Sequence, residues 1–257
     1  MRQQEVQRVS RRPMDNVLYS WASPQEDEFA LLGLGAPSPY EALLLPSLLG
    51  NPRWLLDLQS RSSEEQTRWK EVFLNFVRLL AIQQCKTMVL KSPPHGFRFP
   101  LLTAVFPQSC FVLIERNPYE VFASNLNLWR VLFDMYALES VSSDEIETFV
   151  LQAFVIHEEA IQAGSHHAGA RLARIRYEDL VGDPLGQMAR IYRELKLGDC
   201  ETVRPRWEQC RAAASSHVRN RYYLTPRQKA RIDQDWGGII REKEYECSES
   251  YLMAEAN

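Results

Sequence analysis

Two short apolar runs, each ending in a cation and each followed by a turn and a helix-like segment, limit what this chain can fold into. Met88-Val89-Leu90 ends at Lys91, and Cys110-Phe111-Val112-Leu113-Ile114 leads to Arg116. A third run, Arg171 to Tyr177, alternates polar and apolar residues. Strands that alternate with helices build right-handed βαβ units on a mainly parallel sheet with helices on both faces. Ligands of such sheets sit at the carboxyl ends of the strands, where Lys91, Arg116 and Tyr177 fall. Two cations at one sheet edge make an anion site, and Ser124 lies eight residues past Arg116, two turns into the next helix. The pattern points to a ligand carrying phosphate, sulfate or both.

The rest of the chain fits around that frame. Residues 1–13 read as a basic, weakly ordered start. Residues 14–63 are rich in proline, glycine and serine and read as a loop-rich segment with short helical turns such as Ser38 to Leu45; a loop region this long is usually functional. Ser62-Ser63-Glu64-Glu65 opens a helix whose Trp69, Val72, Phe73, Phe76, Val77 and Leu80 share a core face. The spacing then predicts a strand over Thr87–Leu90, a helix over Phe99–Phe106, a strand over Cys110–Ile114, and helices over Pro118–Phe133 and Ser143–Ala163. Beyond the Arg171–Tyr177 strand it predicts helices from Pro184 to Leu195, near Val203–Ala214 and over Pro226–Trp236. His166-His167 reads as a surface loop.

At 257 residues the chain is long enough to bury a core without disulfides. Its net charge of −3 argues against bulk nucleic-acid binding. Five widely spaced cysteines form no zinc pattern and suit a reduced, cytoplasmic compartment. The sequence has no 18-residue apolar span, so no transmembrane helix is expected, and the N-terminus does not read as a signal peptide.

Five landmarks, in order, carry a family resemblance. They are Arg12-Pro13-Met14-Asp15-Asn16, Pro24-Gln25-Glu26-Asp27-Glu28-Phe29-Ala30-Leu31, Lys91-Ser92-Pro93-Pro94-His95, Arg116 through Ser124, and Arg176-Tyr177-Glu178-Asp179-Leu180 with Asp183-Pro184. Together they resemble the sulfotransferases that use PAPS (3′-phosphoadenosine-5′-phosphosulfate), in a bacterial-type branch. The resemblance implies an α/β three-layer sandwich with a central parallel sheet, akin to nucleotide kinases, as one domain over residues 1–257. Residues 14–63 would form its acceptor side.

The same resemblance implies site roles. Arg116 and Ser124 match the pair that holds the 3′-phosphate, Tyr177 stands near the adenine, and Arg219 or Arg221 supplies a second phosphate contact. Lys91 matches the strand-end lysine near the reacting sulfuryl group, where a cation offsets charge on the leaving oxygen. His95 is the candidate base, with Glu26 and Glu28 as competitors. No metal is implied. The acceptor is a small molecule, lipid, carbohydrate or peptide; Trp21, Phe29, Tyr40, Trp129 and Tyr136 are candidates to line its pocket.

One family element is missing from the sequence. The first strand and its loop, of the form Pro-x-Arg-Ser-Gly-Thr-Thr, would wrap the 5′-phosphosulfate with backbone N–H groups. Neither Gly33-Leu34-Gly35 nor Gly237-Gly238 has that form. The expectation is therefore either a sulfotransferase whose loop lies outside these residues or a non-catalytic relative that keeps only the 3′-phosphate half-site. A nucleotide kinase would need GxxxxGK[ST], which the sequence lacks.

Overall fold

The computed structural model describes residues 10–20, 23–84, 86–214, 220–248 and 251. The first element is a small antiparallel ladder, β1 (Ser10–Arg11) against β2 (Leu18–Tyr19), closed by a turn with Asn16 at φ 58°. The loop-rich segment follows: α1 (Asp27–Gly33), 3-10 turns over Pro39–Leu43 and Pro46–Gly50, α2 (Pro52–Leu56) and a 3-10 turn at Leu58–Ser60. Next comes α3 (Ser63–Gln84), started by reciprocal bonds between Ser62 and Glu65. Trp69 and Phe73 stack on one another in its core face, with ring centroids 4.7 Å apart.

The segment Thr87–Leu90 forms no strand, contrary to the sequence expectation. Among the described residues it has no hydrogen-bonded strand neighbour, and Val89 is 91% exposed; an extended run becomes a strand only when another strand satisfies its backbone groups. The chain then enters a 3-10 turn at Pro93–His95 and α4 (Phe99–Val105).

The parallel sheet pairs β3 (Phe111–Glu115) with β4 (Leu172–Arg176), Phe111 opposite Leu172 and Glu115 opposite Arg176. Between them run α5 (Pro118–Tyr136) and α6 (Ser143–Ala168). Asn117 caps α5 with Pro118 at its first position, and Ser142 and Glu145 form a capping box on α6. After β4 come α7 (Tyr177–Gly182), α8 (Pro184–Glu194), α9 (Arg204–Ala214) and α10 (Pro226–Glu242).

Helices cover both faces of the sheet. Phe111, Leu113 and Leu172 pack on α4 and α6 through Phe99, Ile161 and Ala168. Ala173 and Ile175 pack on Ile191 and Leu195 at α8. Val112 and Ile114 share that second face but stay about half exposed, because α8 lies over β4. Among the described residues, only one edge of β3 is paired. The largest core joins α2, α5, α6 and α10 around Phe122, Phe149 and Trp236.

Two helices outrun their sequence-based ends. α6 extends to Ala168 and so takes in His166 and His167, where a loop was expected. α10 passes through Gly237-Gly238 to Glu242. Two glycines cost a helix about 2 kcal/mol relative to alanine. Burial of Trp236 and Ile240, and the Trp236 Nε1 bond to the Leu151 carbonyl at 2.9 Å, offset that cost.

Candidate active site

The acidic run at the start of α1 meets the segment that follows Leu90, one carboxylate at a time. Glu26 Oε1 lies 2.5 Å from Lys91 Nζ, and Glu26 Oε2 accepts from the Tyr40 hydroxyl at 2.8 Å. Asp27 Oδ2 lies 2.8 Å from His95 Nε2, and Asp27 Oδ1 accepts from the Ser92 hydroxyl at 2.6 Å. Glu28 takes both terminal nitrogens of Arg98, at 2.6 and 2.9 Å, and accepts from Ser38 at 2.6 Å.

These contacts have different chemical uses. Glu28 is 0% exposed and Arg98 3%; the Arg98 guanidinium also lies 4.6 Å from the Trp69 ring. This is a buried structural pair with no face toward an acceptor. The Lys91 side chain is 74% exposed and Glu26 19%, so this pair is open to a second molecule. Burial, and then the Glu26 charge, push the Tyr40 hydroxyl well above the ordinary phenol range, so it stays a donor to Glu26.

His95 is mostly buried. Its Nε2 is engaged by Asp27, and its Nδ1 is buried with no hydrogen-bond partner. Burial alone raises the Asp27 carboxyl, but the His95 hydrogen bond and charge and the Ser92 hydroxyl bring it below its ordinary value. In this arrangement His95 holds Asp27 through Nε2, while its Nδ1 is buried and has no partner among the described residues.

A second cluster forms where β3 and β4 end. Arg116 follows β3, and its guanidinium carbon stands 4.5 Å from the centre of the Tyr177 ring at the start of α7. Arg116 Nη2 meets Glu120 Oε2 at 2.5 Å, one turn into α5. Residues four apart share a helix face, so Glu120 and Ser124 lie on one face of α5, and Arg116, just before the helix, reaches Glu120. Tyr251 donates to the other Glu120 oxygen at 2.5 Å; burial and Glu120 push its hydroxyl up to about 12. Asn117 Nδ2 donates to the Glu246 carbonyl at 2.9 Å, and its backbone N–H to Glu178 at 3.0 Å.

The structure thus brings Lys91 near His95 through the acidic run, and Arg116 onto Tyr177. No hydrogen bond or ion pair links Lys91 or His95 to Arg116 or Ser124 among the described residues. Arg219 lies outside the described residues. Its neighbour Asn220 bonds to the Met14 carbonyl at 3.1 Å and to Asn16 at 2.6 Å, which ties the Arg12–Asn16 turn to the late basic stretch; Arg221 is exposed. Trp21 also lies outside the described residues. Trp129 packs into the core against Phe133 and Phe149, whereas Phe29 and Tyr136 are exposed.

A cavity of about 560 Å³ opens beside the sheet, lined by Glu115, Glu158, Arg174, Arg176, Lys243 and Tyr245 among others. None of Lys91, His95, Arg116, Ser124 and Tyr177 lines it. Several of its charges are engaged: Lys243 bridges Glu115 and Glu158, and Arg174 pairs with Glu115.

Sequence reading missed Asp27, Ser92, Glu120 and Tyr251. Glu120 carried a weak signal, an acid four residues after Arg116 and at the first turn of a helix opened by Pro118. Asp27 reaches His95 across 68 residues, and nothing local announces that contact.

A family model described as the sulfotransferase family matches residues 6–200. The chain belongs to that family. Among curated relatives, it is 37% identical over 230 residues to proteins of Mycobacterium bovis and Mycobacterium tuberculosis. Both bear the name omega-hydroxy-beta-dihydromenaquinone-9 sulfotransferase Stf3. The match covers 89% of this chain and 59% of each relative, so the chain spans little more than half their length. A crystal structure of sulfotransferase STF9 from Mycobacterium avium superposes with a TM-score of 0.61 at 20% identity, over 87% of this chain and 57% of that one. At that identity the likeness defines the fold: an α/β sulfotransferase fold with a parallel sheet.

Proposed function

We propose that this chain carries the 3′-phosphate grip and the reaction edge of a sulfotransferase that moves a sulfuryl group from PAPS to a hydroxyl of an apolar, lipid-like acceptor. The observation that carries the reading is the accessible Lys91–Glu26 pair, an acid–base couple 2.5 Å across at the end of an extended segment. The acceptor class is taken from the named substrate of the mycobacterial relatives, a hydroxylated menaquinone derivative.

PAPS supplies an activated sulfuryl group. Such transfers proceed in line through a loose transition state, so the protein contributes positioning and charge. Glu26 takes the acceptor proton as the new O–S bond forms, and Lys91 offsets charge on the phosphate oxygen as the old S–O bond breaks. Products are a sulfate ester and 3′,5′-ADP. Arg116 and Ser124 fit a phosphate, one through a part-exposed guanidinium just before α5 and one through a hydroxyl within α5. Tyr177 offers a ring for the adenine. His95 and Asp27 position the loop that carries Lys91.

A second reading is binding without turnover, in which Arg116 and Ser124 hold a 3′-phosphate and no sulfuryl group is transferred. One experiment separates the two. Purified chain is titrated with 3′,5′-ADP by calorimetry, then incubated with PAPS and hydroxylated isoprenoid quinols while 3′,5′-ADP release is followed. Affinity with release supports transfer, affinity without release supports the second reading, and no affinity overturns both.

A further inference from the structure

We propose that residues 243–248, together with Tyr251, form a strap latched over the Arg116–Tyr177 pair, and that this latch has to open before a nucleotide phosphate reaches Arg116. The inference rests on the donor-site reading given above. The segment leaves α10 and meets the carboxyl ends of β3 and β4, the edge at which parallel sheets bind their ligands. Both residues that flank Arg116 in sequence hold it. Glu115 pairs with the Lys243 ammonium, and Asn117 Nδ2 donates to the Glu246 carbonyl at 2.9 Å. The residues that flank Tyr177 do the same. Arg176 donates to the Lys243 carbonyl at 2.8 Å and lies 4.8 Å from the centre of the Tyr245 ring, and Glu178 accepts from the Tyr245 hydroxyl at 3.4 Å.

Tyr251 carries the latch to the guanidinium itself. Its hydroxyl donates to one oxygen of Glu120, and the other oxygen of Glu120 accepts from Arg116. Arg116 is thereby held between a carboxylate and the Tyr177 ring, and a phosphate competes for the same guanidinium. The two ends of the strap are fixed. Lys243 bridges Glu115 and Glu158, and the Leu224 N–H donates to the Tyr251 carbonyl at 2.7 Å. Between those ends the bonds from Tyr245 and to Glu246 face solvent. Bonds of this kind contribute little each, so they can be traded for contacts to a ligand. Glu244, next to the fixed Lys243, has φ 56° and an 86% exposed side chain. That left-handed conformation is uncommon for a residue with a side chain, and it marks the hinge about which the middle of the strap lifts.

The test is calorimetry with 3′,5′-ADP on the 257-residue chain, paired with hydrogen exchange over residues 243–248 with and without the nucleotide. Apparent affinity scales with the fraction of molecules whose site is open, so Tyr251→Phe is expected to bind about threefold tighter or more. Tyr223→Phe, at an exposed tyrosine outside the strap, is expected to bind as the native chain does. At saturating 3′,5′-ADP the amides of 243–248 are expected to exchange at least about threefold faster. The strap is overturned if Tyr251→Phe binds no tighter than the native chain, or if Tyr223→Phe gains as much. It is also overturned if the nucleotide slows exchange over 243–248 or leaves it unchanged. Affinity that is absent from the native chain and present in Tyr251→Phe supports the strap. Affinity absent from both overturns the strap together with the donor-site reading, whereas equal affinity in both overturns the strap alone.

Discussion

The Arg116 guanidinium meets the Glu120 carboxylate at 2.5 Å, one turn before Ser124 on the same helix face. A carboxylate therefore engages the guanidinium assigned to the 3′-phosphate. In the proposed donor site a phosphate would have to draw Arg116 away from Glu120, which Tyr251 holds by its other oxygen.

Arg116→Ala removes the charge-assisted contacts and is expected to weaken 3′,5′-ADP binding by about 10- to 100-fold. Glu120→Gln removes the internal competitor and is expected to tighten it by about two- to fivefold, in keeping with a part-exposed ion pair. Calorimetry reads both. Unchanged affinity in Arg116→Ala removes that residue from the donor site.

Lys91→Ala is expected to lower kcat by about 10²- to 10³-fold while 3′,5′-ADP affinity stays within a factor of two. Glu26→Gln is expected to lower kcat as well, because the amide cannot accept the acceptor proton. Steady-state kinetics against an acceptor that supports turnover checks both. A Glu26→Gln enzyme with native kcat returns the base assignment to His95.

Glu28 and Arg98 form the most deeply buried ion pair described in the chain. Losing one partner leaves an uncompensated charge in the core, at a cost of about 3 to 5 kcal/mol. Glu28→Gln should therefore unfold at markedly lower denaturant than the native chain. Its activity per folded molecule should persist, which would separate its structural role from the role of Glu26.

Asp27 gives the fold a pH dependence of known sign. Its carboxyl falls on folding below the ordinary 3.8, so the folded state gains stability above that value and loses it as pH drops through the lower folded value. The contribution is complete above roughly pH 5 and shrinks progressively below 3.8. Denaturant midpoints at pH 7, 5 and 3 for the native chain and Asp27→Asn measure it. The variant should lose less stability on acidification, and parallel curves would remove Asp27 as the cause.

Much of this architecture was legible because local chemistry marked it. Pro118, Ser143 and Pro226 each stood at an expected helix start, and the alternation over Arg171–Tyr177 marked the strand found at Leu172–Arg176. Thr87–Leu90 was misread because three apolar residues satisfy the pattern of a strand while its existence depends on a neighbour. The β1–β2 ladder is two residues per strand, too short to leave a period. Lys91, Arg116 and Tyr177 were found as chain-local features at the ends of extended runs. The carboxylates that face Lys91 and His95 come from more than 60 residues away, and only the fold pairs them.

The half-covered β3 strand also governs how the protein has to be handled. Val112 and Ile114 sit on a short extended strand whose outer N–H and C=O groups have no ladder partner among the described residues. Such a row is a template for another chain. Solubility in a concentrated preparation is therefore expected to depend on this strip, and Val112→Lys should raise the usable concentration while leaving the Arg116–Glu120 pair as it is.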